Sequence, residues 1–242
     1  MKTNYLSLTL LCSSLFIFSC DVYENDVVPN GKTTTMQASF SNYHVIDASS
    51  AFSVYVTFSD TDESIEIEAN DNLHQYIEVK KVNGALKIGL EQNIRIRGNA
   101  TLNAYITTKR VSGYDASGAS RFIVEDVINE DDIDLYLSGA STFTGEINTK
   151  KIYADLSGAS TLNISGSTND FILDASGASV VRDYNFESNS LDADLSGASN
   201  VYLTVDNEIK VEASGASILR YKGDAVISRQ DLSGASSVKK MD

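Results

Sequence analysis

Through the second half of the chain, apolar and polar residues alternate in short runs, and the runs return at a nearly constant spacing. Each is centred on Ser-Gly-Ala-Ser, which begins at Ser117, Ser138, Ser157, Ser176, Ser196, Ser214 and Ser233, at intervals of 21, 19, 19, 20, 18 and 19 residues. Two residues beyond each copy stand Phe122, Phe143, Leu162, Val181, Val201, Leu219 and Val238, all apolar. Just before each copy comes Ala or Leu, and two residues further back Tyr114, Leu135, Ala154, Leu173, Ala193, Val211 and Gln230. Between these two inward columns lies an outward one: Asp115, Tyr136, Asp155, Asp174, Asp194, Glu212 and Asp231. Period-two alternation of this kind marks a half-buried strand. Each period therefore predicts a strand, a small-residue segment, a second strand and a variable return.

Self-similarity at a fixed period marks a stacked repeat, because one such unit cannot bury its apolar face without neighbours. A rung of some 19 residues at roughly 3.3 Å each makes a loop of about 60 Å, and seven rungs about 4.8 Å apart make a prism on the order of 30 Å long. The predicted fold is all-β: a single-stranded β-solenoid of about seven rungs, residues 111–242, continuous with an irregular β region over 36–110. Stacked Gly and Ala suit a pinch or a corner, where a Cβ would crowd the neighbouring wall. The serine hydroxyls can form ladders from rung to rung. Alternation has the same parity on both sides of the tetrapeptide, which leaves open whether the chain turns there or runs through.

The first part of the β region lacks the repeat. Phe52, Val54, Val56 and Phe58 alternate, as do Leu86, Ile88 and Leu90, then Leu102, Ala104 and Ile106, and Asn83-Gly84 is a hairpin signal. This part supplies irregular first rungs or a cap over an edge that would otherwise be exposed. At the other end only Ser237 to Asp242 follow the last copy, with Lys239-Lys240 as edge-blocking charges. An open last rung could pair with another chain, so a homodimer or homotrimer is a candidate state.

The chain begins with Lys2, an apolar stretch from Leu6 to Phe18, and Ser19-Cys20. A small residue followed by Cys at the end of such a stretch resembles the bacterial lipoprotein signal, with residues 1–19 as the signal peptide and Cys20 as the lipidated residue. A cleaved secretory signal without lipid is the alternative. The only other cysteine, Cys12, lies inside that signal, so the mature chain has no intramolecular disulfide. Residues 20–35, with Asp21, Glu24, Asp26 and Pro29-Asn30-Gly31, read as an acidic flexible tether. The formal net charge is −14, and losing Lys2 makes it −15. A chain so acidic does not suit nucleic acid or adsorption to anionic lipid, leaving the lipid anchor as its membrane attachment.

From about Phe40 to Val238 the sequence resembles a known family, the putative auto-transporter adhesin, head GIN domain. The resemblance is carried by Phe40…Val45 leading into Ala51-Phe-Ser-Val-Tyr-Val56, by Leu73…Tyr76-Ile77…Asn83-Gly84-Ala-Leu86-Lys-Ile88, and by the serial Ser-Gly-Ala-Ser copies. It implies a β-helical fold and a lipid-anchored or secreted location in the bacterial envelope, and it brings no catalytic residues and no cofactor.

The residues themselves offer little catalytic chemistry. Asp155, Asp174, Asp194, Glu212 and Asp231 would stack into a column in which each neighbouring pair repels by roughly 0.9 kcal/mol at the dielectric constant of water. Such a column attracts cations, and a Ca²⁺ ladder is conceivable, but calcium wants six to eight converging oxygens. A solvated face is the plainer reading, and no metal site is assigned. Acidic-polysaccharide-cleaving β-helices resemble one another in clustered Asp, a His and basic residues. Here Asp131-Asp132 has no His nearby, and His44 and His74 precede the repeats. The chain has no Trp to stack on a sugar ring, but 12 Tyr. Tyr136 and Tyr202 sit at outward parity and Tyr221 at inward parity, so an aromatic patch for a protein or glycan ligand is open. The reading is a non-catalytic, lipid-anchored outer-membrane protein exposed at the cell surface, binding through its solenoid faces. A periplasm-facing structural lipoprotein is the first alternative; a polysaccharide-active enzyme rests on fold analogy alone.

Overall fold

The computed structural model describes residues 25–242. The signal peptide read at 1–19, Cys20 and the start of the tether lie outside the described residues. In chain order the strands are β1 (Asn25–Val27), β2 (Thr33–Ala38), β3 (Val45–Ala48), β4 (Ser53–Phe58), β5 (Ser64–Asn70), β6 (Ile77–Val82), β7 (Ala85–Leu90), β8 (Ile94–Ile96) and β9 (Leu102–Thr108). The repeats supply β10 (Gly113–Ala116), β11 (Arg121–Val124), β12 (Asp132–Leu137), β13 (Thr142–Leu156), β14 (Thr161–Ala175), β15 (Val180–Leu195), β16 (Asn200–Ala213), β17 (Ile218–Lys222), β18 (Val226–Leu232) and β19 (Ser237–Lys240). A short 3₁₀ helix, Asp71–Tyr76, is the one helical element among the described residues.

The chain turns at the tetrapeptide. In all seven copies the glycine has φ between 58° and 73°, a region open to glycine and costly for other residues. In six copies the alanine that follows has no positive φ, the combination of a type II′ turn; in the first, Ala119 is also positive at 69°, as in type I′. The glycine is needed a second time by the stack. A Cβ on Gly177 would be driven into the carbonyl oxygen of Gly158 one rung below, and the same holds along the later copies. That carbonyl is already engaged, accepting from the Ala178 amide at 2.7 Å. Turn thus bonds to turn through alanine N–H and glycine C=O.

The serines work differently from the rung-to-rung ladder expected of them. The last serine of six copies, buried in all but the half-buried Ser236, donates its hydroxyl within its own turn, to the carbonyl of the first serine, at 2.7–2.8 Å. It satisfies an acceptor that the tight turn would otherwise bury without a partner. Ser120, in the copy with the other turn type, is buried without one. Bonds between rungs occur at single places, such as Ser236 Oγ to the Ala213 carbonyl at 2.9 Å.

On either side of the turn, strands stack in parallel and in register. Leu135, Ala154, Leu173, Ala193 and Val211 pair successively, and so do Phe143, Leu162, Val181, Val201 and Leu219. All are buried, so the inward columns run as the alternation predicts. Near the first repeats Tyr114 meets Phe122 and Phe143 in T-shaped contacts with ring centroids 5.4 and 5.0 Å apart, and the two phenylalanines lie tilted at 6.4 Å.

The region before the repeats is both irregular rungs and cap. β3 and β4 pair in parallel with β10 and β11, and Ser49-Ser50-Ala51-Phe52 takes the place of the tetrapeptide, with Ser50 and Ala51 at φ 61° and 63°. β7 and β9 lie beneath β3 and β4, also in parallel, although they come later in the chain. The chain thus lays one rung, places the next below it, and returns above to begin the repeats. Antiparallel strands close this end: β6 pairs with β7 through the Asn83-Gly84 hairpin, β5 with β9, and β2 with β5. β1 pairs with β8, so Asn25–Val27, within the stretch read as a tether, is laid against the domain. At the far end, among the described residues, β18 and β19 have no strand beyond them, and Val226 is 70% exposed.

This turn chemistry gives a direct test. Gly177→Ala is expected to cost about 2–4 kcal/mol, from left-handed backbone strain plus the clash with a neighbouring carbonyl. Gly31→Ala, where an added Cβ meets nothing within 4 Å, is expected to change stability by no more than about 0.5 kcal/mol. Denaturant unfolding of both variants measures the difference; equal stability would show that the turn does not need glycine.

Candidate recognition face

Because the rungs are in register, residues at one position of the repeat become columns on the surface. Outward on the strand before the turn run Lys87, Asp47, Asp115, Tyr136, Asp155, Asp174, Asp194, Glu212 and Asp231. Seven of these nine are carboxylates, so the column read in the repeats extends through the irregular rungs. Lys87 pairs with Asp47. Arg229 pairs with Asp231 at 3.0 Å and with Glu212 at 2.5 Å. The Tyr153 hydroxyl donates to Asp174 at 2.9 Å, and that bond pushes its pKa up to about 12. Asp155, Asp174, Asp194, Glu212 and Asp231 present their carboxylates side by side. Among the described residues no three His, Cys, Asp or Glu side chains converge to hold a metal ion.

Outward on the strand after the turn, the corresponding column reads Tyr105, Tyr55, Ile123, Thr144, Asn163, Arg182, Tyr202, Arg220 and Lys239. None of these nine is a carboxylate. Tyr55 and Tyr105 stack at 5.1 Å, nearly parallel. A molecule of net charge −14 therefore carries one column from which acid is missing, flanked by Glu146, which pairs with Ser165, and by Asp183 in the bulge that follows Arg182.

A groove of about 800 Å³ lies in this face, lined by residues of four successive rungs including Thr144, Asn163, Ser165, Arg182, Tyr184 and Tyr202. Its origin is a bulge. Pairing slips by one residue between β14 and β15 after Asn163 and by three between β15 and β16 after Arg182, before recovering one at Ser190. Asp183, Tyr184 and Asn185 are thereby lifted out of the stack and form a wall. The slips account for the spacings of 19, 20 and 18 residues at these rungs. That irregularity was visible in the sequence and was the signal for the site; alternation alone placed Tyr202 outward without connecting it to Arg182.

The wall is fixed by its neighbours. Tyr184 meets Tyr202 edge to face at 6.1 Å. Arg220 from the next rung lies 5.3 Å from the Tyr202 ring centre and donates to its hydroxyl at 2.9 Å, and Lys222 lies 5.3 Å from the Tyr184 ring. Thr204 donates to the Tyr184 carbonyl at 2.8 Å. Cation–π contacts of this kind orient rings on an exposed face.

The other chemistry-bearing residues remain apart. His74 lies in the 3₁₀ helix with Nε2 at 3.0 Å from the Thr34 carbonyl, and His44 stands beside Gly84 at the start of β3. Asp131 pairs with Lys150 at 2.8 Å, and Arg97 with Asp26 at 2.6 Å. Among the described residues no helix is long and apolar enough to cross a membrane.

Fold and surface together define a parallel β-solenoid that offers a shaped, laterally continuous face. The chain belongs to the family described as putative auto-transporter adhesin, head GIN domain, whose model matches residues 42–225. Solved structures share the fold. A putative adhesin from Bacteroides fragilis is 20% identical, covers 89% of this chain and 100% of its own, and superposes with a TM-score of 0.82. A protein described as a putative lipid binding protein from Parabacteroides distasonis is 15% identical over 90% of this chain and 100% of its own, with a TM-score of 0.71. A putative adhesin from Parabacteroides merdae is 16% identical over 90% and 99%, at 0.65. The comparison with curated proteins gave no match.

The acidic column makes its own prediction. Burial, reinforced by Asp47 and opposed by Lys87, raises the pKa of Asp115 above its ordinary value. A carboxyl raised in the folded state contributes most stability below its unfolded pKa, about 4, and loses it as pH rises through the folded value. At neutral pH the ionised group therefore opposes folding. Asp115→Asn is expected to raise the thermal midpoint at pH near 7, with the gain disappearing below pH about 4. A gain of equal size at both pH values, or a loss at neutral pH, would contradict this origin.

Proposed function

We propose that this chain is a lipid-anchored adhesin of the outer membrane, exposed at the cell surface and non-catalytic, which recognises its ligand through the face after the turn. The observation that carries the reading is the carboxylate-free column with its groove. A strongly acidic protein is repelled by anionic cell surfaces over a Debye length of about 8 Å at physiological ionic strength. Approach along this column is less opposed than along the acidic column, and it is also here that the stack departs from regularity to form a concave site. Family membership supports a role at the envelope. The apolar N-terminal stretch ending in Ser19-Cys20 supports lipid attachment at Cys20. Anchored there, the domain would stand on the short acidic segment that precedes β1, with its capped end nearer the membrane in sequence.

Protease shaving of intact cells carrying an epitope after Lys240 tests the location. The expected result is loss of the epitope while a periplasmic control survives. Survival until the outer membrane is breached would replace the adhesin with a periplasm-facing structural lipoprotein. Cys20→Ser is expected to move the protein from the membrane to the soluble fraction; retention in the membrane would refute the anchor.

A further inference from the structure

We infer that the groove beside Tyr184 and Tyr202 is a saccharide site selective for a sugar that carries a carboxylate. This deepens the recognition role proposed above and rests on it. The argument begins with Arg182. It is exposed in the groove, and among the described residues its guanidinium makes neither an ion pair nor a hydrogen bond. The acid next to it in sequence is otherwise engaged: Asp183 accepts from the Asn185 amide at 3.0 Å and from its side chain at 3.1 Å. Asp183 is exposed and also lines the groove, but the bulge that lifts Tyr184 ties its carboxylate to Asn185 and not to Arg182, so the guanidinium is left without a salt-bridge partner. A free guanidinium presents a planar fork of donors that matches a carboxylate in two parallel bonds.

The remaining lining suits a hydroxylated ring. Thr144, Asn163 and Ser165 lie in the groove, and none of their side chains makes a hydrogen bond among the described residues. They offer two hydroxyls and an amide, each able to donate and accept. Tyr184 and Tyr202, held by Lys222 and Arg220, supply a fixed aromatic wall for the apolar C–H surface of a sugar. Polymers of other classes fit less well. A peptide binds a sheet by adding a strand to its edge. Here β13 to β16 are each paired on both sides, and the backbone left out of the ladder at Ile164 and Ser165 and at residues 183–185 is a short bulge within the sheet, not an edge to which a strand could add. Nucleic acid needs a basic stripe to release counterions, and the opposite face is a column of acid.

The test uses purified protein, independently of where it sits in the cell, so it fails separately from the surface-location reading. Calorimetric titrations would compare trigalacturonate with its methyl ester, and sialyllactose with lactose. At least one acidic sugar is expected to bind in the millimolar range or tighter, its neutral counterpart at least about tenfold more weakly. Arg182→Gln is expected to reduce the acidic sugar to the level of the neutral one, while Arg121→Gln, on the same face outside the groove, leaves binding unchanged. Circular dichroism confirms that both variants are folded. Equal binding of acid and neutral forms, no effect of Arg182→Gln, or no acidic sugar bound at several times millimolar concentration would each overturn the proposal. Arg182-dependent binding of triglutamate as tight as that of the sugars would overturn the saccharide class.

Discussion

The stack of repeats depends on one close approach: from Gly158 onward, the glycine of each turn lies over the glycine carbonyl of the turn below. The distance leaves no room for a Cβ, and the positive φ would penalise one in any case. Turns that lock together at this spacing force their flanking strands into the same register, since a shift of one residue would send every side chain to the wrong face. The alanine N–H and the buried last serine then supply the bonds that let so tight a turn be dry on its inner side. Stability is built from a nearest-neighbour contact used over and over, as expected of a one-dimensional array.

Register has an electrostatic consequence. In a globular fold, charges scattered along a sequence are scattered in space; here any bias at one repeat position is summed into a line. Aspartate at one such position yields the acidic column, and its absence at another yields the face with tyrosine, asparagine and arginine. Ordinary strand contacts hold both together, so the acidic column is tolerated because it is wet and because Lys87 and Arg229 pair with members near its two ends.

A perfect array would have flat faces and no concavity. The groove arises where perfection lapses, at the rungs of 20 and 18 residues, and its wall is made of the residues the register cannot accommodate. Bulges near functional sites re-aim side chains in this way in sheets generally. The bulge also keeps Asp183 bonded to Asn185 and unpaired with Arg182, although both line the groove.

The inward columns, the acidic column, the Asn83-Gly84 hairpin and the rung length were all legible from the chain, because period two and a fixed repeat leave one way to bury Leu135, Ala154 and Leu173 together. Other features were not. Ser49-Ser50-Ala51-Phe52 lacks the glycine that marks the other turns, and only its pairing with the first repeat reveals it as a rung. That β7 and β9 lie beneath strands that precede them is a matter of long-range pairing, on which local pattern is silent. Whether Ser-Gly-Ala-Ser bends or extends was undecidable from parity, which is the same either way, and was decided by the sign of φ. The sequence determined which side of each strand faces the core, since burial of apolar surface depends only on alternation. Tertiary structure decided which surface residues meet, because that depends on register between rungs, and register is set by contacts that no single rung contains.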